Sequence, residues 1–225
     1  MTVSQDAAAA AEQARLDLDT AIEQIAQVLN VPLRHPLSPE QRAVLDCVLA
    51  RSGGAIDGPW QGAIAAIWAN PQAGFLELLD RTQLDPQTDL AGRQLLGVRI
   101  DGCDLSGANL YQVNLRGSQL CDADLSGANL SAARLAGADL SGALLSDANL
   151  QGADLHKASL ALANLSGANL SGADLRGANL SRVNFHGAIV TGAVLGSNEG
   201  LTTDEYQQLI AHGAIGDLHE TQSGG

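Results

Sequence analysis

From Leu95 onward a large aliphatic or aromatic residue recurs at every fifth position, through Ile100, Leu105 and Leu110 to Leu180, Phe185, Val190 and Leu195. Two residues before each centre the side chain is small or short: from 98 to 193 these positions hold 15 Ala, 3 Val, Cys103 and Ser118. The residue before the centre is often Asp or Asn, and Gly is common two positions after it. A period of five fits neither the helical repeat nor strand alternation. It requires a backbone that turns a corner once per repeat, with tandem copies stacked into a solenoid. Leu and Ala then alternate as large and small inward knobs, which fills a narrow tube without aromatic bulk.

The flanks follow other periods. Leu18, Ile22, Ile25 and Leu29 recur at helical spacing. The stretch "SPEQRAVLDCVLARSGG" places Ser38 as N-cap and Pro39 at the first helical position, and stops at Gly53 and Gly54. A third helix is expected in "GPWQGAIAAIWANP", with Trp60, Ile64 and Trp68 on one face, and a fourth in "PQAGFLELLDRT". The two Trp are expected to supply the bulk that the repeats lack. After the repeat breaks at "GSNEG", Thr202 and Glu205 form a capping box and Gly213 stands just past a last helix. That helix is expected to cover the open end of the stack, and "HETQSGG" reads as a tail.

The repeating A-(D/N)-L-x-x pattern, as in "ADLSGANLSAARLAGADLSG", resembles the pentapeptide-repeat family. The resemblance implies a right-handed quadrilateral β-helix with four pentapeptides per coil, in which the centre and the residue two before it point inward. The expected architecture is mainly β. An α-helical domain of about four helices occupies residues 1–86, a β-helix of about five coils residues 87–197, and a capping helix with tail residues 198–225. With strands about 4.8 Å apart, the rod is roughly 25 Å long.

Composition and charge narrow the function. Formal charge is −13, which disfavours direct binding to nucleic acid or an anionic membrane. That charge is not on the rod: residues 1–87 hold 11 acids and 5 bases, residues 88–197 hold 9 and 7, and residues 198–225 hold 5 and none. Cys47, Cys103 and Cys121 show no metal-type spacing, and three cysteines make no complete disulfide framework. With neither a signal peptide nor a hydrophobic run long enough to span a bilayer in the sequence, a cytoplasmic protein is expected.

Residues twenty apart stack on one face if no coil is interrupted, so the surface can be drawn from sequence. One face presents Asn109, Asn129, Asn149 and Asn169, expected to form a structural amide ladder. Another presents Ser106, Ser126, Ser146 and Ser166, with His186 at one end only; without a base held beside each hydroxyl no nucleophile is expected. A third collects Arg93, Arg116, Arg134, His156, Lys157 and Arg176, a candidate basic stripe for an acidic partner. Leu144 and Leu162 fall at outward positions near one corner and form a candidate apolar contact.

The expected function is a non-enzymatic scaffold, a rigid rod presenting a helical recognition domain to another protein, with no catalytic, cofactor or metal site and no membrane or direct nucleic-acid partner. A homodimer through the N- or C-terminal helices stays open. The family includes gyrase-protecting members of the quinolone-resistance type that mimic DNA, so a DNA-mimic modulator of gyrase is the alternative. A duplex mimic needs its negative charge along the rod, and this rod is nearly neutral.

Overall fold

The computed structural model describes residues 20, 22–23, 37–53 and 59–216, of which 59 and 60 are described in their backbone alone. Most of the first expected helix, the Trp60 side chain and the tail lie outside the described residues; Ile22 is buried.

The repeats build a right-handed quadrilateral β-helix. Single parallel bridges join each residue before a centre to its equivalent twenty residues later, from Gln94↔Asn114 to Asn179↔Glu199. The repeating bonds show how one coil binds the next. Asn129 N–H donates back to Ala108 O at 2.9 Å, and Leu130 N–H donates forward to Asn149 O at 2.7 Å. Regular strand is scarce because each side is too short for more than one bridge before the chain turns. Corners are closed by i to i+3 bonds, such as Val113 N–H to Leu110 O at 3.1 Å. The third residue takes positive φ, as a type II turn demands. Glycine fills most of these sites, but Gln112, Asp122, Ala132, Asp147, Lys157, Leu162 and Arg182 also adopt φ between 54° and 65°. Inside, the Leu and Ala from Leu120 to Leu180 are at most 1% exposed.

Three described helices precede the rod: α1 (Pro39–Arg51), α2 (Pro59–Ala69) and α3 (Phe75–Thr82). The Ser38 hydroxyl accepts from Gln41 N–H, and the Gln41 side chain accepts from Ser38 N–H, closing a capping box at α1. Gln41 Nε2 also donates to Ile67 O at 2.6 Å, tying α1 to α2. Phe75, Ile64, Ile67, Leu78 and Val44 fill the core of this bundle. Trp68 is partly buried and packs against this core, beside the fully buried Ile64 and Ile67 of α2.

The bundle closes the first coil with side chains. Gln94 N–H donates to Asp46 Oδ2 at 3.1 Å and Arg99 N–H to Glu40 Oε1 at 3.0 Å. Asn109 N–H donates to Pro86 O at 3.2 Å. These are the donors that would otherwise reach a preceding coil. Arg51 adds a clamp, with Nη1 2.7 Å from Asp89 Oδ2 and 3.0 Å from Gln83 O.

At the other end β1 (Val194–Leu195) pairs in parallel with β2 (Ile215–Gly216). Between them runs α4 (Thr203–Ala211), whose capping box joins Thr202 and Glu205. Leu209 of α4 is buried, Gly192 N–H donates to Gly213 O at 2.7 Å, and Ile215 N–H donates to Ala193 O at 2.7 Å.

Candidate interaction surfaces of the rod

Each side of the coil turns one column of outward residues to solvent, so function on this scaffold is a matter of which columns remain chemically free. The asparagine column is largely engaged. Asn129, Asn149 and Asn169 each donate Nδ2 to the Oδ1 of the residue twenty before, at 3.4 Å. The same oxygens accept the backbone N–H two residues on, as Asn129 Oδ1 does from Ser131 N–H at 3.2 Å. Two hydroxyls of the serine column are engaged as well: Ser106 Oγ donates to Asp104 Oδ1 at 2.7 Å, and Ser146 Oγ accepts from Asn164 Nδ2 at 2.9 Å.

The basic residues divide into three groups. Arg93 sits half-buried at the junction, with Nε donating to Ala91 O at 3.1 Å and its charge acting on Asp46. It therefore belongs to the seam between bundle and rod more than to an open stripe. Arg176 forms a forked pair with Asp174, Nε to Oδ1 at 2.9 Å and Nη2 to Oδ2 at 2.6 Å, which holds that carboxyl below its ordinary pKa. Arg134 lies in the bridged column between Asn114 and Asp154. Arg116 and Lys157 remain exposed and make no ion pair among the described residues. His156 shares the register of Arg116 and Arg176; its Nδ1 is buried without a hydrogen-bond partner. Lys157 occupies a corner at φ 57°.

Leu144 is 44% exposed and Leu162 57%. Leu144 bridges Asp124 and Asn164, so Leu162 lies two residues from its partner and diagonally across the same corner. Sequence reasoning missed what surrounds them. Asp104 and Asp124 are directly bridged on this side, with Asp101, Asp122 and Asp147 at its corners, opposite the basic side. The signal was present in the twenty-residue spacing, hidden because serines drew attention on that face.

Cys121 is the other unforeseen feature. Burial, then a hydrogen bond to Asp139, pushes its thiol up to about 11. Burial raises Cys47 and Cys103 too, so these thiols are poor nucleophiles at neutral pH. Among the described residues no His, Cys, Asp and Glu cluster could hold a metal, and no helix is long and apolar enough to cross a membrane.

A family model described as pentapeptide repeats matches residues 94–127, 123–161 and 158–196. No curated protein matches the chain. Among solved structures, a pentapeptide repeat protein from Nostoc Pcc 7120 is similar at 32% identity over 48% of this chain and 84% of its own, TM-score 0.39. One from the Arabidopsis thaliana thylakoid lumen is similar at 30% identity over 60% and 86%, TM-score 0.35. QnrB1, a plasmid-mediated fluoroquinolone resistance protein, is similar at 22% identity over 60% and 88%, TM-score 0.34.

Proposed function

The chain belongs to the pentapeptide-repeat family, and from that premise we propose that it is a non-enzymatic protein-interaction module whose rod offers its basic side to an acidic partner. Proteins of this family are generally structural or interaction modules. The observation that carries the reading is the contrast between columns: the Asn column and the Ser106 and Ser146 hydroxyls bond within the rod, while Arg116 and Lys157 stand exposed on one side of it. A rigid stack holds such charges at fixed spacing, so little side-chain ordering beyond the two residues themselves opposes docking.

The helical bundle acts in this reading as one unit with the rod, because Glu40 and Asp46 complete the first coil. Terminal capping by α4 is part of the same proposal, supported by buried Leu209. Three free cysteines favour a reducing compartment such as the cytoplasm. The alternative, a DNA-mimic modulator of gyrase, has weaker electrostatic support, since residues 88–197 carry 9 acids against 7 bases.

The test uses the full chain and its double reversal, Arg116→Glu with Lys157→Glu. Wild type is expected to capture a partner from host lysate in a salt-sensitive manner, and the reversed protein to lose it at unchanged thermal midpoint. Equal capture by both rejects the basic side. Altered supercoiling by purified gyrase would favour the alternative.

A further inference from the structure

Among the described residues, some of the last coil's backbone groups lack the coil-to-coil partners that every coil before it has. One coil earlier, Leu165 N–H donates to Asn184 O and Gly167 N–H to His186 O, both at 2.9 Å, while Ala163 O accepts from Asn184 N–H at 3.0 Å. Twenty residues on, the N–H groups of Phe185 and Gly187 and the carbonyl of Val183 have no backbone partner among the described residues. The side chains are equally unfinished. Ala163, Leu165 and Ala168 are at most 1% exposed, whereas Val183, Phe185 and Ala188 are only partly buried. Beside them, between the last coil and α4, runs a groove of about 580 Å³, floored by Val183, Phe185, Ala188 and Leu209 and edged by His186 and His212.

We propose that this groove takes an extended peptide segment of a partner protein, which adds to the rod as the beginning of a further coil over residues 183–187. The rod's own register fixes the chemistry of that segment. It runs parallel to the last coil, gives one N–H to Val183 O, and presents two carbonyls to the N–H groups of Phe185 and Gly187. A small side chain stacks over Val183 and a leucine-sized one over Phe185. Strand addition of this kind draws affinity from main-chain bonds and selectivity from alternate side chains. Glu205, Gln208 and Leu209 of α4 line the other wall of the groove, so the occupant is a single extended chain and not the end of a second rod. This inference rests on reading the chain as a protein-binding module, but on a different surface from the basic side.

The probe is the end-blocked heptapeptide Ser-Gly-Ala-Asn-Leu-Ser-Gly, the sequence of residues 166–172, which matches the register of the missing coil. It is titrated into the nitrogen-15-labelled full chain. Saturable shifts of the Phe185 and Gly187 amides are expected in the millimolar range, because a short flexible peptide loses much freedom on docking. Methylating the peptide's Asn nitrogen removes the donor to Val183 O and should weaken binding at least tenfold. Replacing its Leu with Asp should do the same.

No shift up to several millimolar overturns the proposal, as does equal binding of the three peptides. If the same amides shift with protein concentration and no peptide, a second copy occupies the edge and the proposal is wrong. Failure here leaves the outcome of the Arg116 and Lys157 reversal untouched, so the two readings fall separately.

Discussion

The two ends of the rod face the same difficulty, a row of unpaired main-chain groups, and meet it differently. At the first coil α1 and the segment after α3 supply acceptors one at a time: Asp46 for Gln94, Glu40 for Arg99 and the Pro86 carbonyl for Asn109. At the last coil β2 pairs with Val194 and Leu195, while Val183, Phe185 and Ala188 stay partly wet. A solenoid is a sum of neighbour contacts, so an end is finished only where each donor finds a substitute. At the first end two of these substitutes are charged side chains from α1 and a third is the Pro86 carbonyl. The last end is closed on one side, and its open side is where binding can add something.

The largest expected effect measures this difference in the core. Leu95→Ala, in the sealed first coil, should cost about 3 kcal/mol, because a fully buried leucine leaves a cavity. Phe185→Ala removes a larger side chain but should cost less, about 1–2 kcal/mol, since part of that ring is already in water. Urea midpoints at constant slope report both. Equal losses would mean that the open side is as well packed as the sealed one, and the contrast would collapse.

The next effect concerns the substitute acceptor itself. Asp46→Ala strands the Gln94 N–H and should cost about 2 kcal/mol, within the penalty for an unsatisfied buried donor. Asp46→Asn retains a carbonyl oxygen and should stay within about 1 kcal/mol of wild type. A large loss in Asn would show that charge, not the acceptor, closes this end.

Titration sharpens the point, because the carboxyls pull in opposite directions. Burial raises the Asp46 pKa, against the opposing Gln94 N–H and Arg93 charge. The folded protein therefore keeps that proton to higher pH than the unfolded chain, and stability from this group falls as pH rises through its raised value. Asp139 and Asp174 are lowered, by the Ser141 hydroxyl and the Arg176 guanidinium. Their stabilisation is present above the ordinary aspartate value and fades as pH falls through the lowered one. Asp46→Asn should thus gain on wild type as pH rises above the ordinary aspartate value, while Asp139→Asn should lose ground over the ordinary aspartate range. Parallel midpoint curves for wild type and Asp46→Asn would remove the desolvation argument.

How far all this could be read in advance depended on periodicity. The five-residue spacing of Leu95 to Leu195 specified one corner per repeat, and the resemblance to the pentapeptide-repeat family supplied four repeats per coil, the inward residues and so the asparagine column, each repeating every twenty residues. Ser38 and Thr202 announced their helices through local capping chemistry. The closure of the first coil was not legible: Glu40 and Asp46 look like ordinary helical surface acids, and their partners lie 59 and 48 residues away. The basic side was legible as a column but not as a set of pairings, since Arg93 turns to the seam and Arg176 to Asp174. The open groove was hidden for a similar reason. Val183 and Phe185 obey the repeat, and only the path of α4 leaves them uncovered.

The smallest expected effect tests whether the unevenness is confined to the ends. Leu162 sits mid-rod with φ 65° and a largely exposed side chain. The left-handed conformation costs an L-residue about 1–2 kcal/mol, and glycine avoids this while losing about 0.5–1 kcal/mol in backbone entropy. Little burial is forfeited, so Leu162→Gly should stabilise the rod by up to about 1 kcal/mol. Gly142 is its counterpart one coil earlier, at φ 72°, where an added Cβ would run into Asp122 Oδ1. Gly142→Ala should therefore destabilise where Leu162→Gly stabilises, although the two positions share one register. Neither change should alter amide exchange at Gln94, Arg99, Phe185 or Gly187. Altered exchange at either end would mean that corner strain is shared along the stack, and the two ends would then be coupled rather than independently finished.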